Sequence, residues 1–191
     1  MSKITIILGH PSSKGFNAAI AQTYRRAAVQ AGHEVKYFAL GDMSFDPILH
    51  EGYNRRQNLE PDLQLAIEAV LWADHLVFVF PTWWGTMPAI LKGFFDRAFL
   101  PGLTFKYHDN DAFWDKLLAG KSAHCFITMD TPSWFFGLIY GNPAQKQIKR
   151  TILEFCGVKP VTITNFSEVR YAEDKKRAAW LETVRKIGSK K

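Results

Sequence analysis

A chain of 191 residues, 47% hydrophobic and 22% charged, has the size and composition of a single globular domain, so one domain over residues 1–191 is expected. The formal charge of +6 suggests nucleic acid only until it is placed: residues 175–191 hold Lys175, Lys176, Arg177, Arg185, Lys186, Lys190 and Lys191 against Glu182 alone, which accounts for the whole excess. A basic helical tail on a neutral body reads as a solvated face, and no nucleic-acid partner is expected.

The chain opens with KITIILG (3–9), a continuous apolar run of the kind buried on both faces of a sheet, and FNAAIAQTYRRAAVQAG (16–32) follows at helical spacing with Gly32 as its stop. HEVKYFAL (33–40) alternates as a second strand; residues 41–59 are polar and turn-like, with no clear element. PDLQLAIEAVLWA (61–73) is a helix opened by proline, DHLVFVF (74–80) a third strand, and another helix begins near Met87. After Pro101-Gly102 an irregular segment leads to a fourth strand, KSAHCFITM (121–129), then a long loop, DTPSWFFGLIYGNP (130–143). AQKQIKRTILEFCG is a helix stopped by Gly157, KPVTITNF a fifth strand, and AEDKKRAAWLETVRKI the last helix.

Strict alternation of strands and helices predicts a three-layer α/β/α sandwich on a five-stranded parallel sheet, because each parallel crossover needs a helix. The order 2-1-3-4-5 suits five strands and puts the ligand crevice at the switch point between strands 1 and 3. The loops there are GHPSSKGFN (9–17) and residues 80–88, which carry Trp83 and Trp84. In the first, unsatisfied N–H groups at a helix start can cradle a phosphate, with His10, Ser12 and Asn17 adding hydrogen bonds and Lys14 charge. The alternative for Ser12 or Asn17 is helix capping. The loop fits neither the Walker sequence nor GxGxxG.

In the second loop the indoles form a wall for a planar ring, with Thr82, Gly85 and Thr86 reaching its edge; the alternatives are core packing or a dimer contact. Taken as extended residues, Trp83 and Trp84 point oppositely, so at least one faces the crevice or a partner. Thr128, Met129 and Asp130 close the far edge, and Trp134, Phe135, Phe136 and Tyr140 form an aromatic cluster whose readings are a pocket, an interface or a loop packed on itself. Lys92 and Asp96, spaced i, i+4, read as a helix-face ion pair with Arg97 nearby. No metal site is expected.

FPTWWGTMPAILKGFFDRAF resembles the signature of the flavodoxin-like NAD(P)H:quinone oxidoreductases, and GHPSSKGFN resembles that family's phosphate loop, with His10, Phe16 and Asn17 matching. The resemblance covers most of the chain in order. It implies a flavodoxin-like fold and a non-covalent FMN, with FAD as the alternative. The phosphate would lie at residues 10–17, over Ser12, Lys14, Gly15, Phe16 and Asn17, the ring against 81–85 (Pro81, Thr82, Trp83, Trp84, Gly85), and the pyrimidine edge near 128–131. It further implies NAD(P)H as substrate, a ping-pong exchange with a quinone or other planar aromatic acceptor, and a homodimer in which the aromatic loop of one subunit completes the other's pocket. Two departures stand out: Asp130-Thr131 replaces a Gly-Gly pair, and Trp134 and Tyr140 stand where the family has a Tyr and a His. Asp130 would bring negative charge to the pyrimidine edge, and Tyr140, unlike a histidine, would only donate a hydrogen bond near neutral pH. Trp134 and Tyr140 are the candidate catalytic residues.

The expected activity is thus a flavin-dependent NAD(P)H oxidoreductase. One alternative is a flavin-binding ancillary subunit of an ion-efflux transporter, its basic tail touching a membrane or partner. A flavodoxin-type electron shuttle would show an acidic surface, which this body lacks. Cys125 and Cys156, both in apolar runs, read as core residues in a reducing compartment, and no signal or membrane-spanning run occurs, so a cytoplasmic chain is expected.

Overall fold

The computed structural model describes residues 1–190, and Lys191 at the end of the basic tail lies outside the described residues. In chain order the elements are β1 (Lys3–Leu8), α1 (Phe16–Gln30), β2 (Glu34–Ala39), α2 (Pro61–Trp72), β3 (His75–Pro81), α3 (Ala89–Ala98), β4 (Phe105–Tyr107), β5 (Trp114–Lys116), β6 (Ser122–Thr128), α4 (Ser133–Tyr140), α5 (Pro143–Lys146) with a π-helical continuation over Gln147–Leu153, β7 (Val161–Phe166) and α6 (Asp174–Gly188). The main sheet is parallel in the order β2-β1-β3-β6-β7, the expected 2-1-3-4-5 counted on its own strands.

The central strands β1, β3 and β6 are buried almost throughout, whereas the edge strands β2 and β7 show exposed and half-buried positions. Successive residues of a strand serve opposite layers. Ile7, Phe78, Phe80, Cys125 and Ile127 pack under α2, α3 and α5, while Ile4, Ile6, Leu8, Val77, Val79 and Phe126 pack under α1 and α6. Both cysteines are free and buried, and burial pushes the Cys125 thiol well above its ordinary range. Among the described residues no helix is long and apolar enough to cross a membrane.

Four segments differ from the sequence expectation. The irregular stretch after Pro101 contains the antiparallel hairpin β4–β5, held by three-residue strands too short to leave an alternation pattern. The expected loop 130–143 is mostly α4, whose uniformly apolar SWFFGLIY offers no period to read. The helix expected from Ala144 to Gly157 starts as α5 and widens into π-turns, so that Ile148 and Leu153, five residues apart, are both buried. Residues 41–59 are built rather than loose: the buried Arg97 guanidinium donates to the carbonyls of Asp46 and Asn58 and to both carboxylate oxygens of Glu60, pinning this segment onto α3. Lys92 does pair with Asp96, at 2.7 Å.

Candidate functional site

Beyond the carboxyl ends of β1, β3 and β6 three loops meet. In the first, His10 Nδ1 accepts the Ser12 N–H at 2.9 Å and Ser12 Oγ accepts the Lys14 N–H at 3.2 Å, which curls the chain toward α1. Gly15, at φ +91° with open space where a Cβ would stand, precedes α1, and among the described residues no side chain caps that helix. The capping alternative therefore does not hold: Ser12 is engaged within its loop, and Asn17 Oδ1 accepts the Thr128 hydroxyl at 3.1 Å. The α1 N-terminus is thus left without a side-chain cap, and an uncapped helix start, with its dipole behind it, favours an anion. Lys14 is exposed beside it.

The second loop is a two-residue hairpin turn, not an extended segment. Trp83 N–H donates to the Thr86 carbonyl at 2.8 Å, Thr86 N–H returns to the Trp83 carbonyl at 3.1 Å, and Trp84 and Gly85 between them have φ of +51° and +81°. Positive φ at both central positions is the mark of a type I′ turn, in which an indole-bearing residue is strained. Trp84 is fully exposed at the tip, and Trp83, partly exposed, meets the His10 ring edge-on at 5.6 Å. Pro81 is buried in β3, and Thr82 N–H donates to the Thr128 carbonyl at 2.7 Å. Thr82 Oγ1 is buried beneath the turn without a hydrogen-bond partner among the described residues.

The third wall follows β6. Met129 points into the core, its N–H on the Phe166 carbonyl, and Asp130 is turned aside: its carboxylate accepts the Arg170 N–H at 2.9 Å. That bond orients the carboxylate toward the Arg170 backbone. Phe16 likewise presents only backbone to the crevice, since its ring packs against Phe166 and Trp180 with Arg177 over it. On α4, Phe136 is buried, while Trp134, Leu138, Ile139 and Tyr140 are exposed, and Phe135 contacts both Trp134 and Tyr140 edge-on.

His10, Asn17, Thr82, Trp83 and Thr128 thus form one contiguous set, with Trp84 exposed on the turn that carries Trp83. Two further members carry no sequence signal: Pro143, whose Cγ lies 3.7 Å from where Gly85 would carry a Cβ, and Gln147, whose Oε1 accepts the Thr86 hydroxyl. Both lie far along the chain from the turn they touch, a separation no local pattern spans. Chemically the crevice offers an anion seat at α1, a fully exposed indole and a buried hydroxyl, which suits a phosphate-bearing planar ring.

A family described by its flavodoxin-like fold matches residues 2–188. A Haemophilus influenzae protein named as an uncharacterised NAD(P)H oxidoreductase is 30% identical over 184 residues, spanning 93% of this chain and 89% of its own. A crystal structure from Streptococcus mutans superposes with a TM-score of 0.84 at 31% identity, over 98% of this chain and 99% of that one. An NAD(P)H:quinone oxidoreductase from Methanothermobacter marburgensis gives 0.81 at 25% identity, over 97% and 96%. With this family match over nearly the whole chain and these relatives, the chain belongs to the flavodoxin-like NAD(P)H:quinone oxidoreductase family.

Proposed function

We propose that the chain is an oxidoreductase that takes a hydride from NAD(P)H and delivers it, by way of a non-covalent FMN, to a quinone or related planar aromatic acceptor in two successive half-reactions. The observation that carries this reading is the juxtaposition of an uncapped helix start with a strained, fully exposed tryptophan across one crevice. The donor set fits FMN: α1 N–H groups with Ser12 and Lys14 for the phosphate, Trp84 for the ring, and the Thr82 hydroxyl for an edge heteroatom. When bound, the flavin supplies the acceptance and release of hydride, and the protein supplies position and dryness. Trp134 walls the acceptor space, and the Tyr140 hydroxyl donates a hydrogen bond to a carbonyl of acceptor or flavin. Neither residue needs to titrate for those roles.

The same reading includes a homodimer. Trp134, Leu138, Ile139 and Tyr140 on α4, and Trp84 on its turn, leave apolar surface uncovered, and a second copy covering it would exclude water from the crevice. Sedimentation velocity of the purified chain is expected to show a dimer.

An absorbance spectrum tests the function. The bands of an oxidised flavin are expected in protein as purified or after added FMN, to bleach with anaerobic NADH or NADPH and to return on adding a quinone. A colourless protein that takes up no FMN would sink the reading, and mass analysis of the released flavin separates FMN from FAD.

A further inference from the structure

The Trp83–Thr86 turn is held from outside by α5. A non-glycine residue at positive φ costs on the order of 1–2 kcal/mol and persists where its surroundings over-determine it. Here two groups supply that constraint. The Thr86 hydroxyl donates to Gln147 Oε1, and Gly85 sits against Pro143. Gln147 is also where the helix turns π: its carbonyl accepts the Thr151 hydroxyl at 2.8 Å, and Glu154 N–H reaches back to the Lys149 carbonyl, five residues earlier. The widened turn lets Ile148 and Leu153 both face the core while the preceding residue, Gln147, meets Thr86.

We propose that Gln147 is a positioning residue: through Thr86, and together with Pro143, it holds the strained Trp84–Gly85 turn in the geometry that receives the planar ring. The part that concerns the ring rests on the proposed flavin. The part that concerns the turn does not.

The test uses the full chain with 5-fluorotryptophan incorporated, the Trp84 resonance assigned through Trp84→Phe, and FMN added by titration. Gln147→Met keeps length and removes the acceptor; Gln147→Glu keeps an acceptor oxygen. Without FMN, Gln147→Met is expected to shift or broaden the Trp84 fluorine line, and with FMN to weaken binding by about five- to tenfold, the worth of one hydrogen bond. Gln147→Glu is expected to restore both. Thr86→Val removes the same bond from the other side and stands in should Gln147→Met fail to fold. A Trp84 line that stays put, or an FMN affinity equal to wild type in a variant whose line has moved, overturns the positioning role. A line that responds in a protein where even wild type binds no FMN keeps Gln147 as the holder of the turn and removes the flavin reading instead.

Discussion

Trp84 occupies a position that a type I′ turn would fill with asparagine, and it buries nothing in return. Selection for stability alone would not keep it there. Trp84→Asn should therefore raise the urea midpoint, by about 1 kcal/mol of relieved strain, while weakening FMN binding by about tenfold through loss of the stacked face. Equal or lower stability with unchanged FMN affinity would count against both the strain and the stacking. The two indoles were visible in the sequence, and so was the crevice they border, because a strand end followed by a helix fixes where the loop must be. Their geometry was not: read as extended residues they would point oppositely, and only the two backbone hydrogen bonds between Trp83 and Thr86 show a hairpin tip. Arg97 was hidden for a similar reason. Next to an exposed Lys92–Asp96 pair it reads as another surface cation, yet it is fully buried because its partners, Glu60 and the carbonyls of Asp46 and Asn58, come from a segment with no periodicity.

That segment is where element and residue depend on each other most. Glu60 feels opposed effects: burial, the largest single one, raises its pKa, while the Arg97 guanidinium and backbone N–H groups that bond its carboxylate lower it, and together they hold it below its ordinary value. Arg97→Met would take the guanidinium donors from two carbonyls and leave the Glu60 carboxylate with the Asp46 N–H but no cation; because Glu60 keeps that bond and some exposure, the expected loss is about 2–4 kcal/mol, below the top of the range for a broken buried pair. The released segment should also be nicked faster by trypsin at Arg55 and Arg56, and unchanged digestion there would contradict the pinning role. The β4–β5 hairpin carries a different device. His108 bonds Asp111 through Nδ1 at 2.9 Å and Asp115 through Nε2 at 3.2 Å, and these carboxylates raise its pKa above the ordinary value. A raised histidine pKa stabilises the fold fully below the unfolded value of about 6.5 and fades as pH climbs through the folded one. Protection of the amides in residues 108–115, taken relative to the base-catalysed intrinsic exchange rate at each pH, should fall over that rise in wild type and stay level in His108→Gln; a His108 titration at or below the ordinary value removes the prediction. The long central strands were legible because burial on both faces leaves an unbroken apolar run. These short strands, α4 and the π-turn were not, since tertiary packing rather than local period determines them.

Across the whole molecule the sheet divides two layers with unlike surfaces. The crevice and the uncovered aromatics of α4 lie at its carboxyl edge, while the excess positive charge of the chain lies on residues 175–191, in α6 and just beyond it, and α6 packs against α1. Reading residues 175–191 as a tail suggests that they could be removed to test for a membrane or transporter contact. The structure argues otherwise: Val184 and Gly188 are buried beneath α6 and Trp180 packs on Phe16, so truncation strips part of the core, with Val184 alone worth about 1.5–3 kcal/mol. Charge must instead be removed with the helix left in place. Arg185 and Lys186 already face Glu182, whereas Lys175 and Lys190 are exposed to solvent and Lys176 lies over Trp180. The triple change Lys175→Gln, Lys176→Gln, Lys190→Gln should leave urea stability within about 0.5 kcal/mol and NADH oxidation unchanged, as expected of surface substitutions remote from the crevice. Co-sedimentation with vesicles rich in anionic lipid at low salt then separates the two roles for this face. Wild type and triple variant remaining alike in the supernatant is the outcome expected of a solvated helix, whereas wild type that pellets and a variant that does not would assign α6 to a membrane and favour the ancillary-subunit reading.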